Sequence, residues 1–282
     1  MKSDLKKHVP AGLPRQASSR GIKQGEVRLS GGIYLYCIAE GDRDINFGRI
    51  GLNGSEVYAI RRNGLLAVVH DCKGDSCMTG DAGALRPWVI THNDVVDTAM
   101  ETFDAVLPLG FGKIIMGEGG LCPIETLTRW FEKEYEVFRL KLVNVKGKEE
   151  YGVQVFWEPG VVTKRLAGES PEARSLSEEV KRASPGRAFM CEEKLKKVLS
   201  RETEVYAEGC FRDFYGRIKI AVDGIKIDKK RQTDDKKQVL MSLSCLVRKD
   251  GVDALKGILD GIKKRKGFSV RFTGPWAPYS FA

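Results

Sequence analysis

The 282 residues include 42% hydrophobic and 30% charged side chains, enough for two modest domains that each bury a core. The best candidate for a membrane span, Val106 to Met116, is interrupted by Pro108, Gly110, Gly112 and Lys113 and falls short of the roughly 18 apolar residues required, so the chain reads as soluble. The net charge of +9 is uneven: residues 1–146 hold 19 Lys and Arg against 18 Asp and Glu, and the remainder 28 against 20.

The first 31 residues carry seven Lys or Arg and lack an apolar signal core, which predicts a disordered basic leader and not a secretory signal. Ile33 to Ala39 reads as a strand. Val57–Arg61 and Leu65–His70 read as a hairpin turning at Asn63-Gly64, the strongest local turn signal in the chain. A Gly-rich loop over 72–84 leads to a helix expected from Thr91 to Phe103, with Thr91 as cap, Asp94 three residues on, and Val95, Val96, Ala99, Met100 and Phe103 as its buried stripe. Val106 to Ile115 is expected to be a strand, with Pro108 marking a bulge or a break in pairing. A long helix follows from Pro123, with Leu127, Phe131, Tyr135, Phe138 and Leu142 on one face.

Gly147, set among charges, marks the expected domain boundary, giving units of 32–146 and 147–282. Tyr151 to Trp157 alternates as a strand. Residues 158–186 lose periodicity and read as a mobile insertion with a short helix over Glu172–Arg182, and 223–237 reads as a second, charged insertion. A long helix is expected from Ala188 to Val222, then a strand Val239–Val247, a helix Val252–Lys266 and a closing strand Phe268–Thr273. This order suits an α+β class: a mixed sheet with helices in the N-terminal domain, and in the C-terminal domain a ferredoxin-like arrangement with one piece unread.

Candidate chemistry is sparse. His70-Asp71-Cys72 is expected at a hairpin end, where neighbours on a strand point to opposite faces and form no relay, and His92 is expected to be exposed in a first helical turn. The seven cysteines show no Cys-x-x-Cys and fit a reducing compartment. Cys72 and Cys77 offer two thiolates where a structural zinc takes four ligands. The glycine clusters at 110–112 and 117–120 match no phosphate-binding pattern and read as turns. The pairs Glu149-Glu150, Glu192-Glu193 and Asp234-Asp235 read as solvated charges. No catalytic residue, metal or cofactor is assigned.

The ending is the most informative stretch. Phe268, Val270 and Phe272 fall on one side of a strand, which is expected to stop at Gly274-Pro275. Beyond it, Pro275 and Pro278 should hold the chain extended and present Trp276, Tyr279 and Phe281. Either these rings contact a partner or they dock on their own domain and close its core.

Gly274-Pro275-Trp276-Ala277-Pro278-Tyr279-Ser280-Phe281 resembles the closing signature of the gas vesicle protein GvpF/GvpL family. The opening strand Gly32–Ile38, the strand Leu65–Val69, the helix start Thr91–Val96 and the segment Val106–Gly112 extend the resemblance over roughly residues 32 to 281. It implies two α+β domains, the C-terminal one a modified ferredoxin fold with a variable insertion. It also implies a cytoplasmic, vesicle-associated assembly factor or minor component whose partners are the hydrophobic major shell protein and other gas vesicle accessory proteins. The residues themselves contribute a physical account: apolar surfaces of unassembled subunits aggregate unless covered, and an aromatic terminal strand offers cover. A different class, a nucleic-acid-binding module on a ferredoxin-like sheet, is motivated by the basic C-terminal half, although aromatics do not interleave with its Lys and Arg runs.

Overall fold

The computed structural model describes residues 31–72, 85–229 and 237–282. The chain divides between Val143 and Asn144 into two compact units.

In the first unit, β1 (Gly32–Glu40), β2 (Asn46–Gly48), β3 (Val57–Arg62), β4 (Leu65–Cys72), β5 (Val106–Pro108) and β6 (Ile114–Met116) form an antiparallel sheet. Its order is β2-β3-β4-β1-β5, with β6 on the same edge of β1 as β5. β1 is buried along almost its whole length, as a central strand covered on both faces must be. The β3–β4 turn has positive φ at both Asn63 and Gly64, the geometry that matches strand twist in a two-residue hairpin. The single strand expected over Val106–Ile115 is two short ones: pairing with β1 runs to Pro108, the Leu109 N–H still donates to the Tyr36 carbonyl at 2.9 Å, and pairing resumes at Ile114 after a turn in which Gly112 has positive φ.

Helix α1 (Leu85–Thr102) begins six residues before the expected Thr91. Its buried face is Trp88, His92, Val95, Val96 and Ala99, so Thr91 lies inside the helix and His92 points inward. Helix α2 (Pro123–Val145) buries Leu127, Phe131, Phe138, Leu142 and Val145.

In the second unit, β7 (Lys148–Trp157), β8 (Gly224–Ile227), β9 (Gln238–Arg248) and β10 (Phe268–Trp276) form an antiparallel sheet ordered β10-β7-β9-β8. With α5 (Pro185–Ile220) after β7 and α6 (Val252–Lys263) between β9 and β10, this is the β-α-β-β-α-β ferredoxin-like order. The unread piece is β8, which lies inside the stretch 223–237 expected to be an insertion. Residues 158–186 hold two helices where one short one was expected: α3 (Pro159–Glu169) and α4 (Pro171–Arg182) fill them and pack on α5.

The core gathers the odd-numbered β7 side chains Tyr151, Val153, Val155 and Trp157 with Leu243, Cys245 and Val247 of β9, Phe214 and Ile218 of α5, and Leu255, Leu259 and Ile262 of α6. The alternate β7 and β9 residues, Glu150, Gly152, Gln154, Ser242 and Ser244, face the other way.

Candidate partner-contact site

The C-terminal segment crosses that second, polar face. Phe272 points to the helix side and stacks on Tyr151 at 5.1 Å between ring centres. The strand does not stop at Gly274-Pro275. It carries a register shift there and Trp276 pairs with Glu150 of β7, across a cis Gly274-Pro275 bond.

Beyond Trp276, Ala277 and Pro278 are buried and residues Tyr279–Phe281 form a 3-10 turn. The Glu150 carboxylate accepts the Ser280 N–H at 2.8 Å and the Ser280 hydroxyl at 2.5 Å. The Ser280 hydroxyl also lies 3.0 Å from that of Ser244 on β9, which in turn donates to Asp228 at 3.2 Å. From β8, Lys226 donates to the Ser280 carbonyl and stands 5.3 Å from the Phe281 ring centre. The segment therefore runs from the β10 edge over β7 and β9 to β8.

The six predicted tail residues consequently separate. Phe272 and Pro278 are packed inward and Phe281 is half-buried against Lys226, whereas Pro275 and Tyr279 are exposed and Trp276 is 56% exposed. Phe281 is thus not presented as an extended tail would present it, because the chain turns instead of running straight.

Sequence reasoning missed Glu150, which is only 8% exposed and is not a solvated charge. Its strand parity with Gly152 and Gln154 was the available signal, since a carboxylate on a strand face needs donors once something lies over it. Glu149, on the opposite side, accepts the Tyr151 hydroxyl at 2.8 Å. Asp234 and Asp235 lie outside the described residues, as does the leader.

His70 lies at the open end of the β3–β4 hairpin, just past the Tyr58–Val69 pair, and is buried; His92, expected to be exposed, is buried as well. The Tyr34 hydroxyl accepts the Gly112 N–H at 3.0 Å and so donates to His92 Nδ1 at 2.9 Å, leaving Nε2–H to donate to the Leu109 carbonyl at 3.0 Å. The Tyr36 hydroxyl likewise accepts the Leu52 N–H at 3.0 Å and donates to His70 Nδ1 at 2.9 Å. Burial lowers both imidazoles from their ordinary value, His70 to about 4, and raises both phenols. These bonds hold two turns; both His92 nitrogens are committed, and the second His70 nitrogen, Nε2, lies 4.0 Å from the Cys72 sulfur.

Cys72 is disulfide-bonded, which its sequence context did not anticipate, and Cys37, Cys122, Cys191, Cys210 and Cys245 are free. Burial pushes the Cys245 thiol up to about 12 and the Cys37 thiol higher, away from thiolate chemistry. Among the described residues no group of three or more His, Cys, Asp or Glu is placed to hold a metal. Cys77 lies outside them. Several cations of the basic half are committed to carboxylates, Arg265 to Asp213 at 2.7 Å, Arg248 to Asp223 at 3.0 Å and Lys263 to Asp260 at 3.1 Å. No described helix is long and apolar enough to cross a membrane.

Comparison with known proteins places this geometry. Gas vesicle protein L1 of Halobacterium salinarum is 29% identical over 274 residues, covering 91% of this chain and 92% of that protein. Gas vesicle protein L of Haloferax mediterranei is 28% identical over 245 residues, covering 84% and 74%. Among solved structures, the crystal structure of GvpF from an Anabaena species matches with a TM-score of 0.68 at 18% identity, covering 89% of this chain and 98% of that one. That of GvpF from Microcystis aeruginosa matches at 0.59 and 17%; at these identities the likeness is one of fold. The model of gas vesicle synthesis protein GvpL/GvpF matches residues 32–282, and the chain belongs to that family.

Proposed function

We propose that this protein acts in the cytoplasm as a gas vesicle assembly factor or minor component that binds the hydrophobic major shell protein, limits its aggregation and helps nucleate vesicles alongside other accessory proteins. Membership of the gas vesicle family supports the setting. The observation that carries the contact is Trp276: a large ring 56% exposed on backbone that is paired to β7. Exposed indoles on ordered backbone are typical centres of binding energy, because their area is buried with little loss of conformational freedom.

The proposed activity is binding and not bond chemistry. His92 spends both ring nitrogens and His70 its Nδ1 on structural bonds, and the half-buried rings of Phe272 and Phe281 close the second unit while Trp276 remains available.

Co-expression with the shell protein tests this. More shell protein in the soluble fraction, and its recovery with the tagged chain, are expected. Unchanged solubility with no co-recovery would overturn the proposal. Truncation after Thr273 separates the two uses of the tail: lost binding in a chain that still folds marks a contact, and retained binding in a less stable chain marks core closure alone.

A further inference from the structure

The residue that the C-terminal segment grips hardest is not part of that segment. Glu150 is held twice: its backbone pairs with Trp276, and its carboxylate accepts both the N–H and the hydroxyl of Ser280. Between those two anchors lie only Ala277, Pro278 and Tyr279, of which Ala277 and Pro278 are buried. Both ends of a four-residue step are thereby fixed to a single residue of a central strand.

The consequence falls on Trp276. Gly274 sits at φ +117, with the Glu150 carbonyl 2.8 Å and Tyr151 2.9 Å from where a Cβ would be, so the chain before the indole is pressed against β7. After the indole, the Ser280–Glu150 bonds keep the backbone from lifting off the sheet, and Lys226 and Ser244 hold Ser280 from β8 and β9. The indole, 56% exposed, leaves from this held stretch of backbone. Pre-organisation of this kind raises affinity by removing the entropy lost when a mobile segment is captured.

We propose that Glu150 and Ser280 are the positioning pair of the partner contact, fixing Trp276 for binding the shell protein although Glu150 itself is sealed from any partner. This rests on the tail being the contact, as proposed above. It assigns to a buried carboxylate in β7 a part in recognition that its place in the sequence does not suggest. A charge-assisted bond to the Ser280 hydroxyl is short and directional, so the variants that keep a hydroxyl at position 280 keep the geometry.

The chain has four tryptophans, so 5-fluorotryptophan labelling gives four fluorine resonances, with Trp276 assigned by its loss in Trp276→Phe. In Glu150→Ala and in Ser280→Ala, the Trp276 resonance is expected to narrow and move toward that of the free amino acid while those of Trp88, Trp130 and Trp157 hold. Recovery of co-expressed shell protein should fall about fivefold or more, on the order expected when pre-organisation is lost, and Ser280→Thr should restore both readouts. A Trp276 resonance unmoved in both alanine variants, or one that moves with undiminished recovery, overturns the proposal. Should Glu150→Ala unfold, Ser280→Ala, which removes one hydroxyl from a half-buried position, decides alone. If the wild-type chain recovers no shell protein, shell-protein binding is refuted, and the fluorine resonances still decide whether the pair fixes the indole.

Discussion

Tyr34 and His92, 58 positions apart in the chain, share a 2.9 Å hydrogen bond whose direction is set by a third group: the Gly112 N–H occupies the tyrosine oxygen, so the phenol proton goes to Nδ1. His92 is therefore neutral with its proton on Nε2, aimed at the Leu109 carbonyl. One pair of side chains on β1 and α1 clamps both ends of the loop between β5 and β6.

Acid should loosen the first unit. An imidazole free in the unfolded chain titrates near 6.5, and burial lowers His92 and brings His70 to about 4 in the fold. The unfolded state thus gains protons first as pH falls, so the stability is fully present above about 6.5 and is lost between there and about 4. His70 alone accounts for on the order of 3 kcal/mol, with His92 acting in the same direction. Urea midpoints at pH 7.5 and 4.5 check this, and the drop should shrink in His70→Gln. Tyr34→Phe should cost on the order of 2–4 kcal/mol at neutral pH, because it strands the Gly112 N–H and His92 Nδ1 together.

Gly274→Ala should destabilise the second unit by about 2 kcal/mol or more, since the new Cβ meets backbone 2.8 Å away at a positive φ. Chemical denaturation followed by circular dichroism gives the number. A midpoint equal to wild type would mean that the turn has another way through.

Ser170 caps α4 by accepting the Ala173 N–H at 3.2 Å and donates to Glu202 of α5 at 2.8 Å. Ser170→Ala is expected to cost about 1 kcal/mol, with faster amide exchange in the first turn of α4. Ser170→Asp should cost more than Asn at the same position, because a carboxylate would face Glu202.

Phe214 is fully buried, edge-on to Phe268 at 5.3 Å, with the Arg265 guanidinium 4.8 Å from its centre. Phe214→Ala should cost about 3–5 kcal/mol, whereas Phe214→Leu, which keeps most of the volume, should cost well under half of that. Differential denaturation of the two variants checks the ratio.

Signals that act over a few residues were legible. Asn63-Gly64 specified its hairpin, the alternation of Tyr151 to Trp157 specified a strand, and the stripe from Leu127 to Leu142 specified α2. One local signal was present and went unread. Pro159, Pro171 and Pro185 each stand in the first turn of a helix, the last two behind Ser170 and Ser184, and this is where proline's missing N–H costs nothing. They outline α3 and α4 across residues 158–186 and the start of α5. The start of α1 was misplaced for the converse reason: Thr91 resembles a cap, but the inward stripe already begins at Trp88, and the Trp88 indole donates to Asn53 from another element at 3.1 Å.

The chain alone determined its class, its strands and helices of strong period, and through its closing phrase its family, because period and turn chemistry are properties of neighbouring residues. Only the tertiary structure decided that β8 completes the sheet, that His70 and His92 are sealed, and that Glu150 receives Ser280 from 130 residues away. A carboxylate or an imidazole has no fixed role in the sequence. It acquires one from the donors and acceptors that folding brings within about 3 Å, and their identity is invisible until the distant strand has arrived.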